Sequence, residues 1–197
     1  MDEGYGISDK RRETGDSEEF HRPQLVIGLP RITCSSMSET VIRLANESDV
    51  PALGRLGALL VETHYAFDQQ RFMAPGANSA EGYAWFLQSQ LKEKDVVVYV
   101  AERAGAIIGY VYAGLEPTSW KELRESAGFI HDVVVDASSR GKGVAGLLVE
   151  AAIAWLRAQG APRVVLWTAE RNGTAQRLFT RLAFRRTMIE MTRELEP

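Results

Sequence analysis

The sequence predicts a mixed α/β domain, and three observations predict it. Short β-branched or alternating stretches recur at six or seven places, apolar residues recur at helical spacing at four, and the two patterns interleave along the chain. From Thr40, Val41 to Ala45 reads as a short strand. Asn46 to Asp49 supply N-cap candidates for a helix whose apolar positions are Leu53, Leu56, Leu59, Leu60 and Val61. A second helix is expected from Ala80 to Lys94, with Tyr83, Phe86, Leu87 and Leu91 on one face. Val96 to Glu102 and Ile107 to Leu115, joined at Arg103-Ala104-Gly105, have the composition and spacing of a hairpin. Pro117 to Glu125 connects to a β-branched strand, Phe129 to Val135. Gly143 to Gln159 is a helix with a buried stripe of Val144, Leu147, Leu148, Ala151 and Trp155, stopped by Gly160-Ala161-Pro162. Arg163 to Thr168 is the next strand, Thr174 to Leu182 a short helix, and Phe184 to Leu195 one or two final strands. The order is β-α-α-β-β-β-α-β-α-β, without internal repeat.

Residues 1–39 read differently. From Met1 to Arg22 seven Asp/Glu and four Lys/Arg leave only Met1, Tyr5, Ile7 and Phe20 as large apolar residues, too few to offset the entropy of ordering the segment. Gln24 to Ser38 adds Pro30 and the patch Leu25-Val26-Ile27, as a linker or loosely docked arm would. The expectation is a disordered extension over 1–39 and one domain over 40–197, with Met37 a candidate start.

Composition bounds the function. Twenty-three Lys+Arg against 26 Asp+Glu give a net charge of -3, without the basic excess that nucleic-acid backbones select. The one cysteine, Cys34, can form no intramolecular disulfide and, with only His21, His64 and His131, no structural zinc site, so no metal is expected. The most apolar helical stretch, Val144 to Leu156, is too short to span a bilayer and carries Glu150, and the N-terminus lacks the apolar core of a signal peptide. No membrane partner is expected, and a reducing, cytoplasmic setting fits.

The chemistry concentrates where a strand runs through a glycine-rich turn into a helix: Val133-Val134-Val135, then Arg140-Gly141-Lys142-Gly143-Val144-Ala145. Glycines let the backbone approach a ligand, and free N–H groups at a helix start attract phosphate. On its own such a turn is more often just a tight structural turn. It is neither a Walker A loop nor Gly-x-Gly-x-x-Gly.

Arg140-x-x-Gly143-x-Ala145 resembles the acetyl-CoA pyrophosphate loop of the GNAT, GCN5-related N-acetyltransferase, superfamily. Downstream, the run from Asn172 to Phe184 resembles that family's Asn-x-x-Ala-x-x-Leu-Tyr-x-x-x-Gly-Phe. The resemblance covers Thr40 to Leu195. It implies the GNAT acyl-CoA N-acyltransferase fold, a mixed, mostly antiparallel sheet of six to seven strands flanked by about four helices. It also implies acetyl-CoA as cosubstrate. Its pantetheine would pair with Val133, Val134 and Val135 and its pyrophosphate sit on the amides of Gly141, Lys142, Gly143, Val144 and Ala145. Arg140, Asn172 and Phe179 complete the cofactor set. The implied reaction is direct acetyl transfer in a ternary complex to a primary amine, on a small molecule or peptide. A homodimer stays open.

Two positions depart from the family pattern. Phe179 stands where a tyrosine can protonate the departing thiolate, and Ala183 where a glycine is usual. A general acid is worth about 10²–10⁴-fold, but a thiol of pKa ~8.5 leaves tolerably as thiolate, so water or Tyr112 could serve. Phe179 is also the argument for the alternative, a non-catalytic acyl-CoA-binding module. An amine must lose a proton before attack, and His131 and Asp132, on the strand that would present the cofactor, are the candidate catalytic residues. His64, Tyr65, Asp68, Arg71 and Phe72, where relatives border the acceptor pocket, read mostly as solvated or packing residues. Trp85, Trp120, Trp155 and Trp167 read as core or partly buried, none a cofactor contact.

Overall fold

The computed structural model describes residues 40–195. The expected extension over 1–39 therefore lies outside the described residues. Strand β1 (Thr40–Leu44) leads through a single 3-10 turn (Glu47–Asp49) into α1 (Val50–Phe67) and α2 (Ser79–Gln90). Next come β2 (Val96–Arg103), β3 (Ala106–Glu116) and β4 (Ala127–Val135), then a second 3-10 turn (Ala137–Ser139), α3 (Val144–Ala158), β5 (Val164–Leu166) and α4 (Gly173–Arg181). The strands form one sheet in chain order, antiparallel from β1 to β4 and parallel between β4 and β5. The β2–β3 turn places Ala104 and Gly105 at positive φ (50° and 78°), the mirror-image turn whose twist suits a hairpin.

Helices cover both faces. On one, Leu148, Val149, Ala152 and Leu156 of α3 bury against Val97, Val111, Ala113 and Ile130. On the other, Leu53 and Leu56 of α1 and Leu87 of α2 bury against Val98, Val100, Tyr110 and Val134. Two glycines bring α1 onto α2. A Cβ on Gly54 would lie 2.4 Å from the Ala80 carbonyl oxygen, and one on Gly57 would lie 2.1 Å from the Tyr83 ring.

Four expectations are corrected. The sheet has five strands among the described residues, not six or seven, because residues 185–195 form no strand and their Met188, Ile189, Met191 and Leu195 are exposed. Strand-like composition makes a strand only where a ladder partner exists, and β5, three residues long, is the sheet's edge here. The second helix ends at Gln90 rather than Lys94. The stripe that α3 buries is Val144, Leu148, Val149, Ala152 and Leu156. A helix this apolar offers several stripes, and contact decides: Leu156 rests on Gly128, where a Cβ would come within 2.9 Å of its methyls, leaving Leu147, Ala151 and Trp155 half-buried on the flank. Finally, Trp85, Trp120 and Trp167 are exposed rather than core.

Candidate active site

The site begins with an interrupted strand pairing. β4 and β5 are in register only from Gly128 to Ile130, opposite Val164 to Leu166, and beyond that point β5 no longer accompanies β4. The N–H of Asp136 donates to Ile108 at 2.8 Å, so by strand alternation Val134 also faces β3, while the peptide groups of Val133 and Val135 point to the open side. A free, extended edge is thus available where β4 and β5 part.

A bulge lies at the same level. Ala113 pairs with Ile130 and Tyr112 with Asp132, leaving His131 unpaired on β3. The extra residue resets the alternation. Ile130 and Val133 both pack on the α3 side, whereas His131 stacks on Tyr112 (4.7 Å) and Asp132 reaches Tyr110, both on the α1–α2 side. Neighbours in sequence that would point to opposite faces therefore project together.

They project into a cleft of about 360 Å³. Leu60, Val61 and His64 of α1 and Tyr83 of α2 form one wall, and Arg71, Phe72 and Met73 of the connecting loop another. Leu166, Trp167 and Thr168 at the end of β5, with Asn172, Ala175 and Phe179 of α4, close the opposite side. His64 packs its ring edge-to-face on Phe72 at 4.9 Å, with Nδ1 2.9 Å from the Leu60 carbonyl oxygen. The Arg71 guanidinium pairs with Glu190 and lies over Phe72.

On the cleft floor, the hydroxyls of Tyr83 and Tyr110 each donate to Asp132 Oδ2 at 3.0 Å. Oδ1 has no hydrogen-bond partner among the described residues, yet no buried side-chain oxygen there lacks one, so Oδ1 opens onto the cleft. Burial pushes the Asp132 carboxyl above its ordinary value, against the opposing pull of the two phenols. Burial, together with the Asp132 charge, pushes Tyr83 and Tyr110 far up, so both stay protonated donors. His131 lies between Tyr112 and Phe129 (4.9 Å), its Nε2 3.4 Å from a Glu116 oxygen. Burial lowers its pKa and outweighs Glu116, so the imidazole is neutral at neutral pH.

At the other end of the free edge, Gly141 (φ 74°) and Gly143 (φ 80°) take left-handed conformations that turn the chain into α3. Gly143 accepts from Leu147, and the N–H groups of Val144, Ala145 and Gly146 have no partner among the described residues. A Cβ on Gly141 would meet nothing within 4 Å, so open space lies over the turn. Arg140 turns back to donate from Nε to the Val135 carbonyl at 3.0 Å, and Lys142 donates to Ser138. Asn172 caps α4 by accepting from Ala175.

Of the residues singled out from sequence, His131, Asp132, Val133, Asn172 and Phe179 meet in the cleft. Val134 is buried, and Val135 with Arg140 to Ala145 stands at the strand end and the helix start. His64, Phe72 and the exposed Arg71 line the cleft, and so does Trp167, whose ring stays largely exposed but contacts Phe129 edge-on at 5.2 Å. Tyr112 donates to Gln90 at 2.9 Å and does not line the cleft, so it does not stand in for an acid at Phe179. Sequence reasoning missed Tyr83 and Tyr110 as partners of Asp132: Tyr83 reads as an ordinary apolar-face residue, and Tyr110 is one more residue of a predicted strand.

Residues 60–184, the span that builds the splayed strands, both glycine turns and α4, match the acetyltransferase (GNAT) family. The chain belongs to that family. The GNAT fold expected from the motifs is the fold observed. A relative described as the uncharacterized N-acetyltransferase YhfO of Bacillus subtilis is 29% identical over 70% of this chain and 85% of its own. A mycothiol acetyltransferase of Thermobispora bispora is 31% identical over 47% of this chain, which spans only 31% of that protein. The structure of the aminoglycoside N-acetyltransferase AAC(6')-Iy in complex with CoA superposes with a TM-score of 0.62 at 17% identity, covering 80% of this chain and 95% of that one. No helix among the described residues is long and apolar enough to cross a membrane.

Proposed function

We propose that this GNAT protein transfers an acetyl group from acetyl-CoA to a primary amine by direct attack in a ternary complex. The observation that carries the reading is the parting of β4 from β5 directly beside the bulge: it leaves a backbone edge at Val133 and Val135 and aims two titratable side chains into the same opening. The residues fit the cofactor. Val133 and Val135 offer an extended peptide edge, and Val144 to Gly146 offer N–H groups without a partner among the described residues, at the positive end of a 15-residue helix, beneath open space over Gly141. Arg140 holds the Val135 carbonyl and so fixes the end of that edge, while its terminal nitrogens stay available for phosphate. Phe179 and Asn172 form the α4 side of the opening. Acetyl-CoA, when bound, would supply a thioester carbonyl; transfer forms a C–N bond and breaks the C–S bond, and the acceptor ammonium gives up two protons, one before attack and one as the amide forms.

The chain's own residues handle the proton lost before attack. Burial keeps His131 neutral at neutral pH, so its imidazole has a lone pair with which to take it, directly or through water. Asp132 presents one free carboxylate oxygen to the acceptor nitrogen. Phe179 offers no proton, so the sulfur leaves as thiolate or takes its proton from water.

Phe179 also supports a second reading, a non-catalytic acyl-CoA-binding module. One assay separates them: purified full-length chain with acetyl-CoA, an amine panel and thiol detection. Amine-dependent CoA release upholds transfer, whereas saturable acetyl-CoA binding with no release above solvent hydrolysis supports the binding module. A domain over 40–197 acting in the cytoplasm, alone or as a homodimer, remains part of the proposal.

A further inference from the structure

The cleft's lining sets what kind of amine it can accept. Among the described residues that line it, Asp132 is the one carboxylate. The one guanidinium, Arg71, is already paired with Glu190 from outside the cleft. The acceptor side is otherwise apolar or aromatic: Leu60, Val61, Phe72, Met73, with the rings of His64 and Tyr83. At about 360 Å³ the cleft is near the lower end of small-molecule sites, roughly 300–1,000 Å³.

We infer that the acceptor is a monoamine, a single primary ammonium on an aromatic or extended apolar body, held by an ion pair to Asp132 Oδ1 with its body against Phe72 and His64. This rests on the amine-transfer reading above and narrows its substrate. The reasoning is electrostatic. Asp132 already has both phenol donors on Oδ2, which leaves one oxygen for one cation. A second ammonium would find no second carboxylate among the described residues that line the cleft. An α-carboxylate would meet Asp132, and the cation that could offset it, Arg71, is engaged by Glu190. Aromatic rings, by contrast, meet the edge-to-face corner of His64 and Phe72.

The test is kcat/KM of the full-length chain with acetyl-CoA for phenethylamine and tyramine against putrescine, spermidine, free lysine and an aminoglycoside, with calorimetric binding of each amine in the presence of CoA. The arylalkyl monoamines should exceed every polycation and the amino acid by more than tenfold. Asp132→Asn should raise the KM for phenethylamine at least tenfold while leaving that for acetyl-CoA within twofold, a split that general loss of fold would not give. Phe72→Ala should erase the preference for phenethylamine over butylamine. Release with a polycation or an amino acid as preferred acceptor overturns this inference and leaves the transfer reading intact. No release with any amine, but tight phenethylamine binding that Asp132→Asn abolishes, overturns transfer and upholds the monoamine cleft. Amine binding unaffected by Asp132→Asn overturns the inference.

Discussion

Replacing Gly57 by alanine separates what helix propensity predicts from what the structure predicts. In the interior of an isolated helix the change should stabilise by about 0.5–1 kcal/mol, since glycine carries more backbone entropy to lose. Here the new Cβ would lie 2.1 Å from Cδ1 and 2.2 Å from Cγ of Tyr83, inside any real contact distance. Gly57 is buried, so the ring of Tyr83 or all of α2 must shift. Overpacking of this kind costs about 1–3 kcal/mol. A ring that moves away also withdraws its hydroxyl from Asp132, and a hydrogen bond to a charged group contributes about 1.5–3 kcal/mol. Taking about 2 for each cost against about 1 for propensity, Gly57→Ala should destabilise by about 3 kcal/mol, lowering the melting temperature by about 6–12 °C for a chain of this size. With Tyr83→Ala already in place the obstacle is gone, and the same substitution should stabilise by about 0.5–1 kcal/mol. Thermal melts of the four chains of this cycle give both numbers. Equal effects in the two backgrounds would refute the seating of Tyr83 on Gly57, as would stabilisation of the unaltered protein.

Asp132→Asn should raise the melting temperature at pH 7, because burial has lifted the carboxyl's native pKa: its charge opposes folding above that pKa, and the proton stabilises the fold below it. The gain should shrink on going to pH 4, as thermal melts at the two pH values can check. His131 has the opposite linkage, its native pKa lowered by burial. The stability it contributes is complete above about pH 6.5 and is lost as pH falls from there through the native value. His131→Gln should flatten that part of the stability curve, and should remove the acid limb of kcat/KM with a confirmed acceptor. Gly143→Asp puts a carboxylate at the N-cap of α3, in a left-handed backbone (φ 80°) that costs an aspartate about 1–2 kcal/mol, and there it repels a phosphate. CoA affinity, read by calorimetry, should fall more than tenfold while the far-UV spectrum stays native.

Much of this fold is legible in residue periodicity. The Val/Ile-rich runs, the Ala-Gly turn of the hairpin and the two glycines before α3 each carry a local physical signal, and they place β2, β3, β4 and the start of α3 correctly. The GNAT motifs then give the family. What the sequence does not carry is non-local. The bulge that turns His131 and Asp132 to one face depends on how β4 pairs with β3, and neither strand alone encodes it. Tyr83 and Tyr110 are 49 and 22 residues from Asp132, and nothing in their surroundings marks them as its donors. Gly54 and Gly57 look like defects in a helix until α2 is laid across them. The absent final strand has the same origin, since residues 185–195 have strand-like side chains but no paired edge.

The central claim is that the parted strands and the start of α3 form one acetyl-CoA site, and hydrogen exchange with and without saturating acetyl-CoA tests it most directly. Ligand should slow exchange at Val133 and Val135, where the β4 edge is open, and at Val144 to Gly146, whose N–H groups lack partners among the described residues, while leaving the β1–β2 pairing unchanged. Saturable binding that leaves both of those segments unprotected would contradict the account.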